Sequence, residues 1–165
     1  MTLLTDELRS WIGRAQRYTA PEELGRASLR YFALAVGDDN PLYTDAEVAR
    51  AHGHPDVVAP PTFVCETNQY AHRRPDGEGY IGHRWELPVT GCRLVRGGHD
   101  YTFSRPVYPS DRITVTWRVV DIRERESSRG GTLLMVESEA VYTNQDDELL
   151  ARNVETLIYQ PLDAG

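Results

Sequence analysis

Residues 112–123 read RITVTWRVVDIR, residues 132–144 read TLLMVESEAVYTN and residues 149–159 read LLARNVETLIY. These three stretches decide the fold, because Val, Ile, Thr, Tyr and Trp are concentrated in them. Side chains that are β-branched or aromatic fit a half-buried pleated surface, so we expect each stretch to form a strand.

Two shorter segments of the same composition, 93–95 and 100–107, come earlier in the chain and predict two further strands. Residue types typical of turns separate the five segments, which favours hairpin turns between antiparallel strands. These separators are Gly97-Gly98, Pro109-Ser110, Gly130-Gly131 and Gln145–Asp147.

The first half of the chain carries helical patterns instead. Between Ala27 and Val36, apolar residues recur at i, i+3, i+4 and i+7, and Gly37 follows at the position of a C-terminal cap. The residues of this apolar face are Leu29, Phe32, Ala33 and Val36.

Two more helices are predicted after the first. A short one runs from Asp45 to about Ala51, with Thr44 or Asp45 as N-cap, and ends at Gly53 and Pro55. The other begins at Pro61 and continues to Tyr70. The segment Arg73–Pro88 is rich in Gly, Pro and charge, so we interpret it as a long connection or a lid.

One helix buried against one curved antiparallel sheet covers the apolar faces of both, so the predicted fold class is α+β. The chain has 165 residues, of which 40% are hydrophobic, and this is enough material for a single core. We therefore expect residues 1–165 to form one domain.

Charge and hydropathy limit the classes of partner. The net charge is −7 and all 18 basic residues are Arg, without a basic stripe, so nucleic acid is not an expected partner. No run approaches the roughly 18 apolar residues of a membrane-spanning helix, and Asp6 and Glu7 stand where a signal peptide is basic and then apolar. A cytoplasmic protein without membrane contact is the expectation.

Cysteine and histidine show no ligand spacing typical of a metal site. Cys65 and Cys92 are isolated and are expected to be reduced core residues. His52 and His54 lie in AHGHP, between Gly and Pro, and we interpret this segment as a loop and not as a metal site. Nucleotide-binding glycine patterns are absent from the sequence, so neither a metal nor a redox cofactor is expected.

Four segments carry a resemblance to a known family. They are FALAVGDDNPLY at 32–43, VVAPPTF at 57–63, GGHDYTFSRPV at 97–107 and PSDRI at 109–113. Together they resemble the MaoC-like dehydratases and (R)-specific enoyl-thioester hydratases, of the N-terminal MaoC dehydratase type, in family order from about residue 18 to 159. The resemblance implies a hot-dog fold, in which a strongly curved antiparallel sheet wraps a long central helix.

The same resemblance implies a partner and a substrate. Hot-dog domains of this family pair as homodimers or heterodimers and bind an acyl thioester in a tunnel at the interface. The expected ligand is therefore an acyl group on the phosphopantetheine arm of coenzyme A (acyl-CoA) or of an acyl carrier protein (acyl-ACP).

The reaction of the family needs several groups at one place. Adding water to a 2-enoyl thioester, or removing it from a 3-hydroxyacyl thioester, requires a base for the α-proton, a group for the water or hydroxyl, and donors to the thioester oxygen. The family motif supplies an Asp and, five residues later, a His. Mapped onto this chain, the Asp is Asp38, the loop residues are Asn40 and Pro41, and the His position is occupied by Tyr43.

Tyr43 leaves three hypotheses open, because a tyrosine hydroxyl with an ordinary pKa of about 10 donates hydrogen bonds but is a poor base near neutrality. In the first, the chain is a hydro-lyase in which Asp38 does the acid/base work and Tyr43 donates a hydrogen bond. In the second, it is the non-catalytic subunit of a heterodimer. In the third, it is a thioester-binding or thioesterase-like module.

The candidate substrate-binding residues are Asn40, which the resemblance places in the loop of the family motif, and Pro60, Pro61 and Thr62. The last three open a predicted helix, and the free N–H groups at the start of a helix are suited to a thioester oxygen. A plain turn explains Asp38 and Asn40 as well, ordinary helix entry explains residues 60–62, and aromatic packing explains Tyr43. We interpret His99 as structural. The remaining prominent aromatics are expected in the core or an interface: Tyr101, Phe103, Trp117, Tyr142 and Tyr159.

Overall fold

The computed structural model describes residues 2–65, 68–127 and 131–162. Within these ranges, five strands form one antiparallel sheet in the spatial order β1-β3-β4-β5-β2. The strands are β1 (Ala15–Thr19), β2 (Cys92–Phe103), β3 (Thr114–Glu126), β4 (Thr132–Thr143) and β5 (Leu149–Pro161). The long strand β2 therefore lies at one edge of the sheet and the short strand β1 at the other.

The helices precede the long strands. They are α1 (Asp6–Arg9), α2 (Gly25–Val36) and α3 (Ala46–Ala51). Gly37 ends α2 in the left-handed conformation, with φ 72°, as its position predicts. Asp45 caps α3, because its side chain accepts hydrogen bonds from the N–H groups of Glu47 and Val48. Neither α1 nor β1 is among the elements predicted from the sequence.

The segment from Pro61 to Tyr70 differs from the predicted helix. It contains two 3₁₀ turns, Pro61–Cys65 and Asn68–Tyr70, and residues 66–67 lie outside the described ranges. The β-branched Thr62 and Val64 favour the α-helix less, and the Gln69 side chain donates to the backbone carbonyls of Val64 and Cys65 at 3.4 Å. The segment is nevertheless central, since Phe63 and Val64 are buried.

Two of the predicted hairpin turns are wrong. Gly97-Gly98 is a β-bulge inside the single strand β2, where the register against β5 shifts between Arg96 and Gly98. A Cβ atom on Gly97 would lie 3.0 Å from Ile158 Cδ1, so the lack of a side chain permits the close approach. Pro109-Ser110 is part of a crossover and not a hairpin, because β2 pairs with β5.

The other two turns connect neighbouring strands as predicted. The β3 and β4 ends meet where the Ser127 N–H donates to the Gly131 carbonyl at 2.9 Å, while Gly130 lies outside the described ranges. Residues 145–147 join β4 to β5, and the Asn144 side chain accepts from the N–H groups of Asp146 and Glu148. These two hairpins hold β3, β4 and β5 in register.

The core lies between the sheet and the segments that cross it. Leu29 and Ala33 of α2 are buried as predicted, whereas Val36, expected on the same face, is 57% exposed. The connection 73–88 has no helix or strand, yet it packs on the sheet, because Trp85 is buried and its Nε1 donates to Ser138 Oγ at 2.8 Å. In the described part of the chain, no helix has the length and apolar character to cross a membrane.

The Gly37→Ala substitution is expected to lower the free energy of unfolding by about 1 kcal/mol, because Ala disfavours the left-handed conformation that ends α2. No atom lies within 4 Å of an added Cβ, so the cost comes from the backbone alone. Urea unfolding followed by tryptophan fluorescence measures it. Gly77→Ala is the matched control, since Gly77 has equal space and no left-handed φ; an equal loss in both variants would contradict the assignment.

Candidate functional site

A cavity of about 660 Å³ lies beside β2 and the loop 79–83. Its aromatic lining comes from α2, from the 3₁₀ turns and from three strands. We call it the aromatic cavity after these residues, which are Phe32, Tyr70, Tyr101, Trp117 and Tyr142. Thr62 and Cys65 line it as well. A space of this size, with several aromatic rings in its lining, is suited to an organic ligand.

One wall of the aromatic cavity is charged. Glu155 of β5 is only 5% exposed, and its Oε1 accepts a hydrogen bond from Arg96 Nη1 at 2.8 Å. His99 Nε2 lies 3.7 Å from the same oxygen. Asn153 Nδ2 lies 3.1 Å from His99 Nδ1 and fixes the ring. Burial raises the pKa of Glu155, and the positive charge of Arg96 opposes this shift.

We call these three residues, Arg96, His99 and Glu155, the charged cluster. Cross-strand pairing brings it together, because His99 of β2 lies opposite Glu155 of β5. The bulge between Arg96 and Gly98 puts Arg96 and His99, which are three residues apart, on the same side of the strand. A second cavity, of about 400 Å³, adjoins the first, and Arg96 and Glu155 line both. The charged cluster therefore stands between the two cavities.

His83 forms another part of the wall. Its ring stacks on Trp117 with 4.6 Å between centroids, and its Nδ1 lies 3.1 Å from the Tyr18 hydroxyl. That hydroxyl donates to Gln16 Oε1, so it accepts from His83 Nδ1–H. Burial lowers the pKa of His83 to about 3, and the imidazole is therefore neutral near pH 7.

A separate cavity of about 400 Å³ lies where β2 leaves the sheet. Asn40, Tyr43, His54 and Pro61 line it together with residues 103–107. We call it the Tyr43 cavity. His54 Nδ1 lies 3.3 Å from the Tyr108 hydroxyl, which orients the ring.

The six predicted site residues are divided among these places. Asp38 is exposed, its carboxylate accepts the Asn40 N–H at 3.2 Å, and it is not among the described residues that line the cavities. Asn40 and Tyr43 reach the Tyr43 cavity, although the Asn40 Oδ1 also caps the next turn by accepting the Leu42 N–H. The catalytic and binding roles given to these residues stay predictions.

The helix-entry residues are also separated. Pro61 lines the Tyr43 cavity and Thr62 the aromatic cavity. Pro60 is buried, and its carbonyl accepts the Phe63 N–H at 2.9 Å. The segment 60–62 thus runs between the two cavities.

His54 and the charged cluster are not among the site residues predicted from the sequence. His54 was interpreted only as a loop residue, yet the loop after α3 brings it into the lining of the Tyr43 cavity. His99 was interpreted as structural, yet it faces Glu155. Asn153 and Glu155 alternate along β5 in phase with the apolar Ala151, Leu157 and Tyr159, and this sequence pattern is a signal that they share the buried face.

Among the described residues, Cys65 and Cys92 form no disulfide, and no group of three or more possible metal ligands occurs. Cys65 and Cys92 are half-buried. Trp117, Tyr142 and Tyr159 are buried as predicted, whereas Tyr101 is half-buried and Phe103 is 44% exposed on the edge strand.

Known proteins resemble both the sequence and the fold. A family described as FAS1-like, dehydratase domain region, matches residues 10–153. The chain belongs to this dehydratase family. The resemblance to MaoC-like dehydratases and (R)-hydratases is thereby confirmed, and solved structures with those names share the hot-dog fold.

Three similar proteins show how far the likeness extends. A UPF0336 protein of Streptomyces coelicolor is 42% identical over 131 residues, which is 79% of this chain and 81% of the relative. The ChsH1-ChsH2 complex of Mycobacterium tuberculosis has a TM-score of 0.72 at 20% identity, with 96% of this chain and 94% of that chain covered. The HadBC (3R-hydroxyacyl-ACP dehydratase) complex of the same organism has a TM-score of 0.62 at 25% identity, with 88% and 96% covered.

His83 is expected to make the fold less stable in acid. Its pKa is about 3 in the folded protein against about 6.5 when unfolded, so only the unfolded state binds the proton between these values. The contribution of neutral His83 to the free energy of unfolding is complete above pH 6.5. Below that pH, the free energy of unfolding falls by up to about 1.4 kcal/mol per pH unit. His83→Gln should flatten this dependence between pH 5 and 6.5, measured by urea unfolding.

His52→Gln is the control for this prediction, because His52 is exposed at the end of α3. It should keep the pH dependence of the original chain. Equal slopes in the His83 variant and the original protein would contradict the buried, neutral state of His83.

Proposed function

We propose that this chain is the acyl-binding subunit of a two-chain hot-dog hydro-lyase. In this proposal the chain holds the acyl group of a CoA or acyl carrier protein thioester in the aromatic cavity. A second hot-dog chain supplies the Asp and His that move protons. The reaction is the dehydration of a 3-hydroxyacyl thioester or the reverse hydration of a 2-enoyl thioester.

One observation carries this proposal: Asp38 lies outside the cavity that Tyr43 lines. Its carboxylate is exposed and accepts the Asn40 N–H in its own turn. The base and the hydroxyl-handling group must meet at adjacent carbons of one substrate, and positions 38 and 43 do not share a cavity. Tyr43 is a hydrogen-bond donor, which favours a role in holding substrate over one in removing a proton.

The edge strand β2 supports a second chain. Its outer side has no strand partner in the described residues, and Leu94, Val95 and Phe103 are at least 40% exposed. An open edge twelve residues long with apolar side chains invites pairing with another chain. The HadBC and ChsH1-ChsH2 structures are complexes of two named chains, which agrees with this arrangement.

The test begins with the purified chain, assayed with a short 2-enoyl-CoA. The same assay is run on the particle that is obtained when the chain is tagged in its own host and purified with a partner hot-dog chain. We expect the chain alone to hydrate the substrate at least about a hundredfold more slowly than this particle. Equal rates with and without the partner would contradict the proposal. Hydrolysis of the thioester in both preparations, without hydration, would assign the chain to the thioesterase-like class instead.

A second candidate is that the chain is catalytic by itself, and His54 favours it. Its imidazole lines the same cavity as Tyr43, so it is placed to replace the base that the family carries at position 43. In that case the chain alone hydrates the substrate.

Substituting His54 separates the two candidates. If His54 is the base, His54→Gln lowers the hydration rate at least about a hundredfold, while His52→Gln on the exposed side of the same loop leaves it unchanged. If the base comes from the partner, His54→Gln changes the rate of the two-chain particle by less than about tenfold. Tyr43→His, which restores the family residue, is expected to retain or raise the rate of an active chain.

A further inference from the structure

We propose that the acyl group held in the aromatic cavity carries a hydroxyl substituent on one of carbons 5 to 8, apart from the 3-hydroxyl of the reaction. This hydroxyl donates a hydrogen bond to Glu155 and accepts one from Arg96. This inference rests on the proposed function, because it names the class of acyl group that the cavity takes.

The position of the charged cluster is the first argument. Arg96, His99 and Glu155 all line the aromatic cavity, together with the rings of Tyr101, Trp117 and Tyr142. An acyl group that fills this space passes along the rings and meets the cluster. The Arg96 side chain is 59% exposed, so its donors are accessible from the open space.

The hydrogen-bonding capacity of the cluster is the second argument. Arg96 only donates, and the Glu155 carboxylate only accepts. His99 Nδ1 accepts from the Asn153 amide, so its Nε2 carries the hydrogen and donates. The cavity wall therefore presents donors and an acceptor side by side. A hydroxyl group, which donates once and accepts twice, matches both.

Other substituents fit the cluster less well. A hydrocarbon chain would remove water from Arg96 and Glu155 and return no hydrogen bond, which is costly for charged groups. A carbonyl would accept from Arg96 but has no hydrogen to donate, so it adds no hydrogen bond to Glu155 beyond the one from Arg96. A carboxylate would meet the negative charge of Glu155, since the carboxyl groups repel each other when both are ionised.

Isothermal titration calorimetry tests this inference with ligands that the hydro-lyase reaction does not convert. The protein is the purified chain, together with its partner chain where the two are purified as one particle. The probes are octanoyl-CoA and its 5-, 6-, 7- and 8-hydroxy derivatives, which differ only by one hydroxyl. At least one hydroxyoctanoyl-CoA is expected to bind about tenfold or more tightly than octanoyl-CoA, as for one hydrogen bond to a charged group. Glu155→Gln and Arg96→Leu should each remove most of that preference.

Glu139→Gln is the matched control. Glu139 accepts from Arg152 at 2.9 Å in an ion pair between β4 and β5, and neither residue lines the cavity. This variant should keep the full preference for the hydroxylated ligand.

The outcomes separate the two proposals. If octanoyl-CoA binds as tightly as every hydroxy derivative, the hydroxyl assignment is wrong while the acyl-binding function stands. If the preference survives in both Glu155→Gln and Arg96→Leu, the charged cluster is not its source and the inference is overturned. If the original protein binds none of the five thioesters, the proposed function fails, and the inference fails with it.

Discussion

The pairing of β2 with β5 is the constraint on which the other features depend. Eleven residue pairs join the two strands, although nearly fifty residues separate them along the chain. Because β2 pairs with the last strand and not with β3, its other side forms the edge of the sheet. The same pairing sets His99 opposite Glu155 and so places charge in the wall of the aromatic cavity. The Gly97-Gly98 bulge lets β2 follow β5 without a clash at Ile158.

The end of β2 also determines which of the candidate functional residues lie in which cavity. Residues 103–107, where the chain leaves the sheet, line the Tyr43 cavity together with Asn40, Tyr43 and His54. The aromatic cavity is a separate space. Asp38 stays at the surface, where its carboxylate stabilises a turn. A chain arranged in this way offers a large space for an acyl group and an open strand edge, while the acid/base positions of the family motif are not assembled. This combination is the physical reason for assigning the proton-transfer groups to a second chain.

The sequence predicted the elements whose signals are local. The strand composition of 112–159 identified β3, β4 and β5, and Gly37 and Asp45 marked the helix ends that the structure has. The bulge at Gly97-Gly98 was wrongly taken for a hairpin, because the same glycine pair suits both and only the partner strand distinguishes them. The charged cluster required the β2–β5 register, and no local pattern specifies which residue of one strand lies opposite His99. The cavity that Tyr43 lines likewise depends on residues 103–107, which are distant in sequence.

The effect of Asp38→Asn on the hydration rate of the two-chain particle tests the central claim most directly. The substitution keeps an oxygen that accepts the Asn40 N–H, so the turn is preserved while the ionisable group is lost. If the partner supplies the acid and base, the rate with a short 2-enoyl-CoA remains within about threefold of the original, well below the effect of losing a catalytic proton-transfer group. A fall of about a hundredfold or more, with the particle intact, would contradict the account and make Asp38 a catalytic residue of this chain.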